Sequence, residues 1–278
     1  MKMIPMKISR RHVKLSWIFS LLLFTACATV PLTGRQQLNL IPESEMLSMS
    51  LTQYGDFLKS NQLSGNQAQT DMVKRVGKRI AAAVDQYLND NGLSDRVKDF
   101  NWEFNLVKDS VANAWCMPGG KVVVYTGILP ITKNENGLAV VMGHEIAHAI
   151  ARHGNERMSQ EMLVQLGGVG LSAAVDQKPE QTKQIYMTAY GLGAQVGAIL
   201  PYSRSHELEA DKMGLMFMAM AGYDPHGAVD FWQRMAANGG GSGMPEFLST
   251  HPVDSHRIAQ IKQDLPEALK YYQQAKNN

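Results

Sequence analysis

The sequence predicts an α+β fold, a mainly helical domain with a small β-sheet beside one apolar helix. Three observations carry that expectation. Leu138–His153 is a run of good helix formers without proline. Thr70–Leu88 places Met72, Val73, Val76, Ile80, Val84 and Leu88 at helical spacing. Phe100–Val107 alternates as a half-buried strand does, and the Gly119-Gly120 pair divides two further strand-like runs.

The chain opens with Lys2, Lys7, Arg10, Arg11 and Lys14, then the apolar run Leu15–Phe24, then Thr25-Ala26-Cys27. A basic region, a short apolar region and small residues form a secretory signal, not a spanning helix of about 20 residues. Cysteine directly after the small residues resembles a bacterial lipobox, with Phe24 where leucine is more usual. That resemblance implies removal of residues 1–26 and a diacylglyceryl group on the Cys27 sulfur. Ala28, rather than aspartate, then implies the outer membrane of a Gram-negative cell, facing the periplasm. Residues 27–40 read as a mostly polar, lipidated tether, 41–270 as one domain and 271–278 as a polar tail.

Processing leaves about 250 residues, compatible with one large domain. Apolar residues make up 45% of the chain, enough for a core. The net charge of +2 includes the leading cations, so the remainder is nearer neutral or acidic and carries no nucleic-acid footprint. With Cys27 lipidated, Cys116 has no disulfide partner.

Within the domain, a helix is expected from about Ile41-Pro42-Glu43 towards Leu58, with proline at an early position that needs no N–H. Asn61–Gln67 is a loop before the Thr70–Leu88 helix. Thr132-Lys-Asn-Glu135 has the spacing of a capping box for the next helix. Asn155–Pro201, rich in Gly, Ala and Met, reads as two helices, Met162–Val175 and Ile185–Leu200, covering the site as a lid. Neither is long and unbroken enough to span a bilayer, although membrane contact is a second reading. The helix containing Asp211 ends at Gly222-Tyr-Asp-Pro225, another runs to Met235, Gly239–Gly243 is a flexible link, and a last helix ends near Leu265.

The chemistry lies in two of these helices. His144 and His148 are four apart, so they share one face and can hold a single Zn²⁺. Glu145, one step round, can take a proton from a water that zinc has brought to a pKa of about 7. His153, five residues past His148, falls off that face and reads as structural. Two imidazoles under-coordinate zinc, and catalytic sites commonly supply three protein ligands. Glu207 and Asp211 are again four apart; one carboxylate can bind the metal while the other accepts an imidazole N–H.

His144-Glu-x-x-His148 followed by Ser203-Arg-x-x-Glu207-x-Glu-Ala-Asp211 resembles the gluzincin peptidase family of the CAAX prenyl endopeptidase, HtpX and BepA. The similarity runs from about Asn101 to the C-terminus. It implies a zincin-type metalloprotease domain with Glu207, not Glu209, as third ligand, Asp211 behind the ligands and Glu145 as the catalytic base. Asn113-Ala-x-x-x-Pro118-Gly119-Gly120 resembles a family segment whose strand is an open edge, which implies Asn113, Pro118 and Gly119 as a substrate edge. The late Thr250-His251-Pro252…Arg257 pattern resembles a motif whose histidine approaches the zinc, so His251 is a candidate latch on the open metal position. The resulting expectation is a zinc endopeptidase acting on misfolded or unassembled envelope proteins. A lipid-anchored assembly factor or holdase, using the edge strand with little proteolysis, and an aminopeptidase are the rivals.

Overall fold

The computed structural model describes residues 27–195, 200–238, 246–252 and 255–277. The expected signal segment and the Gly239–Gly243 link lie outside the described residues. Two short strands come first, β1 (Cys27–Thr29) and β2 (Gln36–Leu38), paired antiparallel. The expected tether is therefore a folded hairpin. Its turn uses positive φ at Leu32 and Gly34, and Val30 N–H donates to Arg35 O at 2.8 Å.

Helix α1 (Glu43–Ser60) starts at Pro42, and α2 (Gln67–Asp90) starts at Asn66, whose side chain accepts from Gln69 N–H. One face of α2 buries Val73, Val76, Ile80, Val84 and Leu88, the stripe read from the sequence. Gly77 lies on that face because a Cβ there would sit 2.2 Å from the Phe104 ring. Three strands follow: β3 (Glu103–Val107), β4 (Ala114–Met117) and β5 (Lys121–Tyr125). Their order is β3-β5-β4, with β3 parallel and β4 antiparallel to β5. The central β5 buries Val122, Val123 and Val124 completely, which explains its unbroken β-branched run. Gly119 and Gly120 join β4 to β5 at φ of 86° and 78°, conformations that cost other residues strain. The outer side of β3 is covered by Ser64, whose N–H donates to Leu106 O at 2.8 Å. β4 is the other edge, and among the described residues no strand pairs with its outer side, the one away from β5.

A short helix α3 (Leu129–Thr132) precedes α4 (Glu135–Ala151). The expected capping box does not form. Thr132 closes α3, its hydroxyl donating to Leu129 O, and Asn134 caps α4 by accepting from Gly137 N–H at 2.9 Å. Nearly every residue of α4 is buried, so it is the central helix of the domain. Helices α5 (His153–Ala174) and α6 (Glu180–Ala194) form a hairpin that buries only the first turns of α5 and none of α6. Helix α7 (Leu200–Met220) crosses α4, and Gly222 at φ 77° ends it as read. Three helices close the chain: α8 (Gly227–Ala237), α9 (Glu246–Thr250) and α10 (Ser255–Asn277). The expected polar tail is helical as far as Asn277, because Tyr271 and Tyr272 pack on the core despite polar neighbours. Among the described residues no helix is long and apolar enough to cross a membrane. The architecture is the α+β, zincin-type arrangement expected, with a small sheet beside the central helix.

Candidate metal centre

The site forms where α4 meets α7. Gly143 and Gly214 let the two backbones touch: a Cβ on Gly143 would lie 2.8 Å from Gly214 O. From this crossing His144 and His148 on α4 face Glu207 and Asp211 on α7. The two imidazoles bring their Nε2 atoms within 3.1 Å of each other. Glu207 places Oε2 3.4 Å from His144 Nε2 and Oε1 3.4 Å from His148 Nε2. The short α9 delivers His251, whose Nδ1 is 3.2 Å from His144 Nε2 and 2.9 Å from Glu207 Oε2. Donor atoms of His144, His148, Glu207 and His251 all lie within 4.8 Å of one another.

This donor set fits zinc. Ligand bonds of about 2.0–2.1 Å in a tetrahedron place donors about 3.3 Å apart, close to the separations here. Imidazole nitrogens and carboxylate oxygens are also the donor types zinc takes. Electrostatics points the same way. Burial opposes charge on His144, but the carboxylates of Asp211 and Glu207 outweigh it and lift its pKa to about 9. Acids that favour a proton on that ring also favour a cation at the shared point. His148 is pushed well below its ordinary value by burial, which suits a neutral ligand. Glu207 pays for burial too, yet the histidines around it hold it far below the carboxylate range.

Behind this donor cluster, Asp211 Oδ1 lies 3.0 Å from His144 Nδ1 and so fixes which nitrogen faces forward. Arg257 braces this side, donating to Asp211 Oδ1 at 2.8 Å and lying 3.1 Å from Glu207 Oε2. Its guanidinium sits 3.8 Å from the centre of the Trp232 ring. Arg257 enters the sequence reading only within the Thr250-His251-Pro252…Arg257 pattern; its role has no local signal, because its partners are 46 and 50 positions away.

Glu145 is buried, and burial raises its pKa, making it a better proton acceptor than an exposed carboxylate. Its Oε1 has no hydrogen-bond partner among the described residues, and His251 Nε2 stands 3.5 Å from it. His153 stays out of the donor cluster, as expected, but it stands directly behind His148. Arg152 takes φ 59° and ψ 33°, so α4 stops and the chain turns. His153 is thereby swung back until its Nδ1 is 2.8 Å from His148 Nδ1. Helical spacing alone could not reveal this, since it assumes that the helix continues.

A cleft of about 330 Å³ opens on the ligands. Asn113, Ala114, Trp115, Cys116 and Pro118 line one side, and His148, Glu207 and His251 the other. Asn113 also shapes the start of β4, its Oδ1 accepting from Ala114 N–H and its Nδ2 donating to Glu246 at 3.2 Å. Gly119 does not reach the cleft; it turns beneath Leu47 instead. The α5–α6 hairpin contributes only its first residues, among them Asn155 and Arg157, so among the described residues it is not a lid over the metal site.

The model of Peptidase family M48 matches residues 67–265. The chain is 35% identical over 273 residues to the mitochondrial metalloendopeptidase OMA1 of Schizosaccharomyces pombe, covering 93% of this chain and 74% of that one. To the human mitochondrial metalloendopeptidase OMA1 it is 29% identical over 263 residues, 91% of this chain and 48% of the relative. To the beta-barrel assembly-enhancing protease of Escherichia coli it is 29% identical over 187 residues, 64% of this chain and 38% of the relative. The chain thus spans about three quarters of the first relative and less than half of the other two. On the family match and the site's donor set, the chain belongs to peptidase family M48 and is a zinc metalloendopeptidase.

Proposed function

We propose that this chain cuts unfolded or unassembled proteins of the cell envelope, with His144, His148 and Glu207 as zinc ligands and Glu145 as the base. The observation that carries this reading is the shared cleft, in which the unpaired edge of β4 runs past the ligand cluster. An extended peptide adding to β4 would bind through main-chain hydrogen bonds, which read little sequence and suit varied unfolded substrates. Bound zinc would supply a Lewis acid for the scissile carbonyl and an acidified water. Glu145 takes the proton from the attacking water and hands it to the leaving nitrogen. Asp211 and Arg257 keep His144 and Glu207 in place during that transfer. The name of the Escherichia coli relative, a beta-barrel assembly-enhancing protease, supports proteins awaiting assembly as the substrate class.

His251 belongs to the same reading as a latch. Its Nδ1 is within reach of both His144 and Glu207, so it can take the position that catalysis needs open. With His251 in, the centre rests; with His251 displaced, water and substrate can enter.

The address is read from residues 1–27: a basic start, an apolar run and Cys27 support a lipid anchor facing the periplasm. A mitochondrial address is the second reading, carried by the names of the fission-yeast and human relatives. The activity is tested by incubating the purified chain with unfolded casein, with and without a chelator, and weighing the products. Chelator-sensitive internal fragments are expected. Single-residue trimming, or binding without cleavage, would overturn this reading of the substrate and its cleft.

A further inference from the structure

A second polar cluster lies behind the ligand His148, and the N-terminal hairpin completes it. Arg35, in the turn between β1 and β2, donates from Nη1 and Nη2 to Glu156 at 2.8 and 2.7 Å and from Nε to Glu209 Oε2 at 2.8 Å. Thr33 donates its hydroxyl to the other oxygen of Glu209. Glu209 is buried and in turn faces His153, whose Nε2 is 3.0 Å from Oε2. His153 then reaches His148 through the 2.8 Å contact between their Nδ1 atoms.

The proton positions follow from the chemistry of the partners. An ionised carboxylate only accepts, so the proton between Glu209 and His153 belongs to His153 Nε2. Where His148 binds zinc through Nε2, its own proton sits on Nδ1, so the 2.8 Å contact requires a bare, accepting His153 Nδ1. The proton in that contact must come from His148 Nδ1, and His148 Nε2 is left with its lone pair directed at the metal position. Were Glu209 to drift away, His153 could hold its proton on either nitrogen and His148 would lose the restraint. Two contacts dock the hairpin beside this cluster without belonging to it: Leu40 N–H donates to Ser159 Oγ, and Asn155 Nδ2 donates to Ile41 O, each at 2.8 Å.

We propose that Arg35 is a positioning residue of the metal centre, setting through Glu209 and His153 which nitrogen of His148 faces zinc, so that the N-terminal hairpin is a working part of the site. This rests on His148 being a zinc ligand, and the test separates the two claims. Full chain is loaded with zinc, its dissociation constant is measured by chelator competition, and the imidazole protonation sites are read by long-range ¹H–¹⁵N spectroscopy. The wild type should carry protons on His148 Nδ1 and His153 Nε2. Zinc binding should weaken roughly 10–100-fold in Arg35→Met and Glu209→Leu, the range seen when partners behind metal ligands are removed. Glu209→Gln keeps an acceptor for His153 and should restore most of the affinity. Ser159→Ala loosens the hairpin without touching the chain of contacts and should leave zinc binding unchanged. A proton on His153 Nδ1 in the wild type would overturn the proposal even if no variant folds. So would unchanged affinity in Arg35→Met, or an equal loss in Ser159→Ala. Zinc binding that survives His148→Ala at wild-type strength would instead overturn the ligand assignment, and the relay with it.

Discussion

Gly143 and Gly214 are the point at which the two metal-binding helices touch, and neither can carry a side chain. A Cβ on Gly214 would lie 2.7 Å from His144 N, against the backbone of the first ligand. Gly214→Ala should therefore push α7 from α4, costing about 1–3 kcal/mol of stability as overpacked sites do. Because His144 lies on α4 and Glu207 on α7, zinc binding should weaken as well. Thermal unfolding with and without zinc measures both. A variant as stable as the wild type would show that the crossing has slack.

Removing the His251 ring should open the metal centre. His251→Ala is expected to retain zinc, since three ligands remain, and to cleave unfolded casein several-fold faster or digest itself. Metal analysis beside the initial rate checks this. Normal zinc with a lower rate would make His251 a contact to substrate or to developing charge, not a latch.

Glu156 gives the fold an acid-sensitive element. Burial favours its neutral form, but hydrogen bonds from Arg35 and His206 prevail and lower its pKa from 4.5 to about 2. Its stabilisation is complete above the ordinary value and is lost as the pH falls towards about 2. In metal-free protein, where ligand protonation does not release zinc, Glu156→Gln should flatten the dependence of the urea midpoint on pH below 4.5. An unchanged slope would mean that the Arg35–Glu156 pair contributes nothing to acid stability.

If Cys27 bears the anchor, Cys27→Ser should abolish incorporation of labelled palmitate and leave the protein unprocessed or free of the membrane. Equal labelling of the variant would place the lipid elsewhere. A wild type that takes up no lipid would favour the second address.

The features legible in the sequence were those set by local periodicity or a dense motif. The stripe Val73–Leu88 became the buried face of α2, the Gly119-Gly120 pair became the turn beside the edge strand, and the sheet beside the central helix followed. His144, His148, Glu207 and His251 do converge, as the motifs and the family resemblance implied. What was missed depends on partners distant in the chain or on a single unusual backbone angle. Arg257 and Arg35 meet their carboxylates across 46 to 174 positions, which no spacing rule reports. The contact of His153 with His148 has no signal in the spacing, because nothing marks Arg152, a non-glycine residue, as the left-handed stop of α4. The helical tail was misread because only Tyr271 and Tyr272 among its polar residues reach the core.

Glu145 does the chemistry while His144, His148 and Glu207 hold the metal, and Glu145→Gln separates those roles. Zinc content and casein cleavage are measured on one preparation of the variant. One zinc per chain should remain, and cleavage should fall by about 10²–10⁴-fold, the contribution of a positioned proton-transfer group. Wild-type cleavage by a zinc-loaded Glu145→Gln protein would rule out Glu145 as the base.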